Sequence, residues 1–160
     1  MRLSIALVCI MPFFISSCVS VVLVGDPLSS EERVNLGYIY ELRGRYDLAE
    51  KEYAKAIRRD KKNWLAYYNL GNIYARRGDW DKAQDLYEEA LSIRWEPDVL
   101  NNLAYVLMKK GDYCSALWTI QEALKKHVKE EYTKTKEEIV KAIENSGVRC
   151  LSLEREGESR

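Results

Sequence analysis

The sequence predicts an all-α fold: an α-solenoid of three helix pairs closed by a capping helix at its C-terminal end. Three observations predict it. The first is self-similarity. NLGYIY at 35–40 returns as NLGNIY at 69–74 and, more loosely, as NLAYVL at 102–107, so Leu36 to Leu70 is 34 residues and Leu70 to Leu103 is 33. Fixed periods in this range mark stacked repeats. The second is hydrophobic spacing: within each period apolar residues recur at i, i+3 and i+4 before a central glycine and again after it, which describes two amphipathic helices joined by a turn. The third is composition. With 3 Pro and 8 Gly in 160 residues, the chain suits one compact, helix-rich domain rather than a disordered or fibrous protein.

The N-terminus is unlike the rest. MRLSIALVCIMPFFISSC carries one charge at Arg2, an uncharged apolar stretch from Leu3 to Ile15, then two small residues and Cys18, the order of regions in a secretory signal. Its ending, Ile15-Ser16-Ser17-Cys18, resembles the lipobox of bacterial lipoproteins. That resemblance implies a signal peptide at 1–17 that is cut off, and a Cys18 that carries acyl chains such as palmitate on its thiol and becomes the first residue. A second reading stands beside it. The charge-free run from Leu3 to Val24 is long enough to span a bilayer as an uncleaved helix, although Pro12 and the Ser16-Ser17 pair weaken it. Both readings export the body, because Arg2 tends to stay on the cytoplasmic side. The expected location is therefore the bacterial cell envelope, anchored by lipid and facing the periplasm. Val19 where an Asp is absent leans, by family analogy, toward the outer membrane rather than the inner.

Residues 18–29 form the expected tether, about 40 Å long if fully extended. Gly25, Asp26 and Pro27 break any helix arriving from the left, and Ser29 with Glu32 three residues on offers a capping box for the first repeat helix.

The repeats follow at about 30–63, 64–96 and 97–127. The first unit carries Leu36, Gly37, Tyr40, Gly44, Ala49, Tyr53 and Ala56, and the second carries Leu70, Gly71, Tyr74, Gly78, Ala83, Tyr87 and Ala90, each pair 34 apart. The third keeps Leu103, Gly111, Ala116 and Ala123 but has Ala104, Leu107 and Ile120 at the other places. This resembles the tetratricopeptide repeat, W-x₂-L-G-x₂-Y then A-x₃-F then P over a 34-residue period. Gly44, Gly78 and Gly111 fall at the turn, where a helix can end on positive φ. Gly37, Gly71 and Ala104, with Ala49, Ala83 and Ala116, remove bulk so that paired helices approach closely. Tyr53 and Tyr87 are expected to fill space against the next unit. Departures include Arg33, Tyr67 and Leu100 for the leading Trp, and Lys61 and Trp95 for the closing Pro.

A capping helix is expected over 128–147, with Val128, Tyr132, Ile139 and Ile143 on its apolar side and Lys and Glu on the other. The tail at 148–160 is short and charged. Two thiols remain in the exported body, Cys114 at the start of the last repeat helix and Cys150 after the cap. Sequential helices run antiparallel, so these ends meet, and a disulfide between them fits an oxidising compartment. A reactive pair or two buried free thiols are the rival readings.

The chain has no G-x-x-x-x-G-K, H-E-x-x-H or G-x-S-x-G motif and no zinc-spaced cysteines. Its single His127, beside Lys125 and Lys126, reads as a cation near a helix C-terminus. No enzyme, catalytic residue, metal or cofactor is expected. Lys+Arg 25 against Asp+Glu 25 gives no basic excess for nucleic acid, and no small-molecule substrate is evident. The tetratricopeptide resemblance instead implies a protein or peptide partner in the envelope, held in a groove lined by the first helices of successive units. Carried over by alignment, that groove includes Asn35, Tyr38, Asn69, Asn72, Arg76, Asn102, Tyr105 and Lys109. Amides pair with peptide backbone, Tyr gives flat contact area, and Arg or Lys meets acidic groups. Asn35, Asn69 and Asn102 also occupy a place where the repeat itself often has Asn, so an architectural role stands equally. Some members hold a partner's C-terminal carboxylate with a Lys and Asn pair in the first unit; the matching residues here are Val34 and Tyr38, which lack the cation. The expected role is a scaffold or assembly factor. The alternatives are an accessory subunit of an envelope peptidase, since GDPLSSEE followed by NLG resembles repeat regions attached to some exported cysteine peptidases, and a thiol oxidoreductase using Cys114 and Cys150, which lack C-x-x-C spacing.

Overall fold

The structure is a computed structural model and describes residues 27–150. The signal and Cys18 expectations fall outside the described residues. Within them the chain forms α1 (Ser30–Leu42), α2 (Tyr46–Arg59), α3 (Trp64–Arg77), α4 (Trp80–Ile93), α5 (Pro97–Lys110), α6 (Tyr113–Lys126) and α7 (Glu130–Ser146). No strand occurs among the described residues. Successive helices pack pairwise, and α7 also reaches back to α5. The result is a tetratricopeptide-like helical solenoid. None of these helices is long and apolar enough to cross a membrane.

Local chemistry sets the boundaries. The Ser29 side chain accepts from the Glu32 backbone N–H while the Glu32 carboxylate accepts from the Ser29 N–H, the reciprocal capping box. Asn63 and Asp112 cap α3 and α6 in the same way from the side chain, and Pro97 opens α5 at a position where its missing N–H costs nothing. Gly78, Gly111 and Gly147 end their helices in the left-handed region.

The core is continuous apolar packing between neighbouring pairs. Ala49, Tyr53 and Ala56 of α2 are buried with Ala66, Leu70 and Ile73 of α3. A larger cluster runs from Ala83 and Tyr87 of α4, through α5 and α6, to Tyr132, Ile139 and Ile143 of α7. The two tyrosines do more than face the following unit. A Cβ placed on Gly37 would lie 2.5 Å from Tyr53 Cε1, and one on Gly71 would lie 2.6 Å from Tyr87 Cε1. Each ring therefore occupies the space left by the glycine of its own unit, and helix approach and ring burial are one feature. Arg33, standing where the repeat usually has Trp, is buried and donates to Glu52 at 2.6 Å, so an ion pair fills that volume in the first unit.

One expectation is corrected. Val128 is 83% exposed and lies before α7, because the α6 helix ends at Lys126 and an extended connector precedes the Lys129 cap. The apolar side of α7 is instead Tyr132, Thr135, Ile139 and Ile143.

Candidate functional site

First helices of successive units place their matching positions side by side, and this builds a hollow of about 420 Å³. Its walls are Glu41 from α1, Asn72, Ala75 and Arg76 from α3, and Asn102 and Tyr105 from α5, while Trp80 and Tyr87 of α4 contribute from the second-helix layer. The floor is a polar network. The Tyr87 hydroxyl donates to Asn72 Oδ1 at 2.7 Å, and Asn102 Nδ2 donates to the same oxygen at 2.9 Å and to the Tyr68 hydroxyl at 3.2 Å. Asn101 Nδ2 then donates to Asn102 Oδ1 at 3.2 Å. Burial raises the pKa of both Tyr87 and Tyr68, so each hydroxyl stays protonated and neutral across the physiological range.

This network spends the Asn72 carbonyl, and the Asn72 side chain also hydrogen-bonds with Tyr68, at the edge of the hollow. Around that amide the rim is aromatic and charged. Trp80 and Tyr105 meet edge to face at 6.3 Å, the Arg76 guanidinium lies 4.8 Å from the centre of the Tyr46 ring, and Lys109 Nζ lies 5.0 Å from the Tyr105 ring centre. On α1 the Glu41 carboxylate accepts from the Tyr53 hydroxyl at 2.8 Å. The hollow thus offers an acid, a cation and two flat rings within one concave surface.

Of the eight residues expected in the groove, Asn72, Arg76, Asn102 and Tyr105 line this hollow, and Lys109 stacks on its rim. Tyr38, exposed on α1, is not among the residues that line it, and neither are Asn35 and Asn69. Asn102 acts chiefly as a brace between α5 and α3, since both of its side-chain groups are engaged within the protein. Sequence reasoning missed Glu41, Trp80 and the inward hydroxyl of Tyr87. The first two had a signal: Glu41 lies one residue beyond the repeat Tyr40, and Trp80 follows the turn glycine Gly78. Val34, at the first-unit clamp position, is buried, in keeping with the absence of a cation there.

Cys114 and Cys150 are joined as a disulfide with Cα atoms 5.4 Å apart, and Cys150 is buried. No cluster of His, Cys, Asp and Glu suited to a metal ion occurs among the described residues.

The tetratricopeptide repeat family model matches residues 30–94, the first two helix pairs. No curated protein matches the chain. Among solved structures, the Sgt2 TPR domain from Aspergillus fumigatus is similar, at TM-score 0.68 and 20% identity over 74% of this chain and 81% of that one. So is YrrB, described as a TPR protein with an unusual peptide-binding site, at TM-score 0.66 and 26% identity over 74% of this chain and 61% of that one. The first TPR of Spaghetti (RPAP3), bound to the HSP90 peptide SRMEEVD, is similar at TM-score 0.70 and 18% identity, over 74% of this chain and 95% of that one.

Proposed function

We propose, taking as premise a tetratricopeptide-like solenoid whose first two pairs match that repeat, that the chain is a non-catalytic scaffold holding an extended segment of a partner protein in its concave groove. The observation that carries this is the hollow itself: Tyr105 and Trp80 offer flat faces for an apolar side chain and Arg76 a cation for an acidic one, on one concave surface. Two of the similar solved domains are described with peptides, which supports an extended ligand over a globular surface.

The body works in the bacterial cell envelope, carried at the membrane by acyl chains on Cys18, with the outer membrane favoured, as an assembly factor for envelope complexes. The signal-like segment and the Ile15-Ser16-Ser17-Cys18 ending support this reading. Acyl chains in pairs anchor stably because each buried CH₂ contributes roughly 0.8 kcal/mol. The buried Cys150 sulfur and the lack of C-x-x-C spacing favour a structural bond over an exchanging pair.

The test is crosslinking in cells from the groove, comparing wild type with Arg76→Ala plus Tyr105→Ala. Both side chains are exposed, so the fold is retained. Loss of the crosslinked partner in the double variant is expected; unchanged partners would move binding to the convex face. Incorporation of labelled palmitate into wild type but not into Cys18→Ser tests the anchor separately.

A further inference from the structure

Antiparallel pairing gathers the joints between units on one edge of the stack, and side-chain contacts trace that edge from end to end. Asn63 Nδ2, in the α2–α3 joint, donates to the Ser30 hydroxyl at the start of α1 at 2.8 Å. The Arg94 guanidinium, in the α4–α5 joint, lies 4.9 Å from the centre of the Trp64 ring. Lys126 Nζ, at the end of α6, lies 5.9 Å from the centre of the Trp95 ring, and Lys129 donates to Asp98 at the start of α5. The described chain begins on this edge, at residue 27, and the Cys114–Cys150 disulfide closes the opposite one.

The joints set cations around exposed apolar tips. The first reads RRDKKN at 58–63, and among the described residues no ion pair holds Arg58, Lys61, Lys62 or Lys126. Beside it a hollow of about 630 Å³ is walled by Arg33, Lys55, Arg58 and Arg59, with Glu52 engaging only the first two. In the next two joints Trp95 is 46% exposed and Val128 is 83% exposed, and Lys126 lies against the Trp95 ring. An indole and an aliphatic tip among cations suit the boundary of a bilayer, where the ring sits at headgroup level and the cations meet phosphate. We infer that this edge docks on an anionic lipid surface, with Trp95 and Val128 entering the headgroup layer and Arg58, Lys61, Lys62 and Lys126 facing its phosphates. The inference rests on the Cys18 anchor of the proposed function for one step. Cys18 stands nine positions before residue 27, so roughly 30 Å of chain at most lies between the acyl chains and this edge. The anchor brings the edge to the surface, and the cations, each attracted by anionic lipid, fix which way the body faces. The helices then stand on the bilayer by their joints, and the groove opens sideways along the membrane.

The experiment places the full chain, with whatever it carries at Cys18, in vesicles of phosphatidylcholine alone or mixed with phosphatidylglycerol. Brominated acyl chains quench nearby tryptophan, and the Trp95 signal is wild type minus Trp95→Phe. Trp95 quenching is expected with phosphatidylglycerol and not without it. Lys61→Gln plus Lys62→Gln, both at exposed positions, is expected to lower the docked-to-undocked ratio roughly thirtyfold, at about fivefold for each lysine near an anionic surface. Arg43→Gln plus Arg45→Gln, exposed at the opposite edge, is expected to leave it unchanged. Quenching that is absent, equal in both lipids, or reduced alike by the two pairs overturns the proposal and leaves an acidic protein as the occupant to seek. The mass at Cys18 keeps the two readings apart. An acylated chain without Trp95 quenching retains the anchor and overturns the docking, whereas quenching by a chain with no acyl group retains the docking without the anchor.

Discussion

At the scale of single residues, the tightest constraints are the two glycines under the tyrosine rings. Tyr53 and Tyr87 are 0% and 1% exposed, so neither ring can swing into solvent to accept a methyl group 2.5–2.6 Å away. Gly71→Ala is expected to destabilise by about 1–3 kcal/mol, the usual cost of overpacking a filled site, read as a lower denaturation midpoint. In the third unit Ala104 and Ile120 stand at the places of Gly71 and Tyr87, so Gly and Tyr change together. Combining Gly71→Ala with Tyr87→Leu should therefore cost less than the sum of the two changes. Asn72 is the other sensitive residue. Asn72→Ala removes the acceptor of a buried tyrosine hydroxyl and of Asn102 Nδ2, and is expected to cost about 1–3 kcal/mol. Tyr87→Phe, which removes donor and ring hydroxyl together, should cost about 0.5–1.5 kcal/mol, and denaturant titration of both variants checks the order. The glycines were readable in the sequence because a lost side chain leaves a blank at a fixed period. The bracing network of Asn72, Asn101 and Asn102 was not, since an amide that joins two helices and one that faces solvent are the same letter.

At the scale of elements, one acidic residue of α5 clips the capping helix beside the apolar cluster they share. Asp98 Oδ1 accepts from Lys129 Nζ at 2.5 Å and from the Tyr132 hydroxyl. Burial works to raise the Asp98 pKa, but the hydrogen bonds from Lys129 and Tyr132 outweigh it and hold the carboxyl below its ordinary range. A folded-state pKa below the unfolded one contributes stability that is present above the unfolded value, about pH 3.9, and is lost as pH falls through the folded value. The Asp98 side chain is 45% exposed, so solvent screening keeps the contribution below about 1 kcal/mol. Amide exchange in α7 is thus expected to rise in wild type below about pH 4 and to lose that acid-dependent component in Asp98→Asn. Helix existence and pairing were legible because the apolar period and the turn glycines point the same way. The start of α7 was not: Val128 continues the apolar letters, yet the cap at Lys129 is set by the connector and by the Asp98 clip, contacts that lie 31 and 34 residues apart in sequence. For the same reason the hollow was legible as a stripe on α3 and α5, while Trp80 entered it only through the packing of α4 behind them.

At the scale of the whole molecule, each helix touches little beyond its immediate neighbours, so the stack behaves as a nearly one-dimensional array and perturbations stay local. The disulfide is the strongest device at one end of that array. It closes a span of 36 residues containing α6 and α7, and on the loop-entropy model such a closure stabilises by about 3 to 4 kcal/mol. That energy acts on the segment it encloses, because α1 and α2 share no side-chain contact with either cysteine. Reduction, or Cys114→Ser plus Cys150→Ser, is therefore expected to speed amide exchange throughout α7 and the adjoining face of α6 by several hundredfold, while the α1–α2 pair exchanges as before. The groove lies between, and α5 borders both it and the cap, so partner crosslinking from Tyr105 should weaken on reduction while crosslinking from Glu41 on α1 persists. A uniform acceleration along the whole chain would mean that the units unfold together, and the picture of a stack tightened from its C-terminal end would give way to a single cooperative domain.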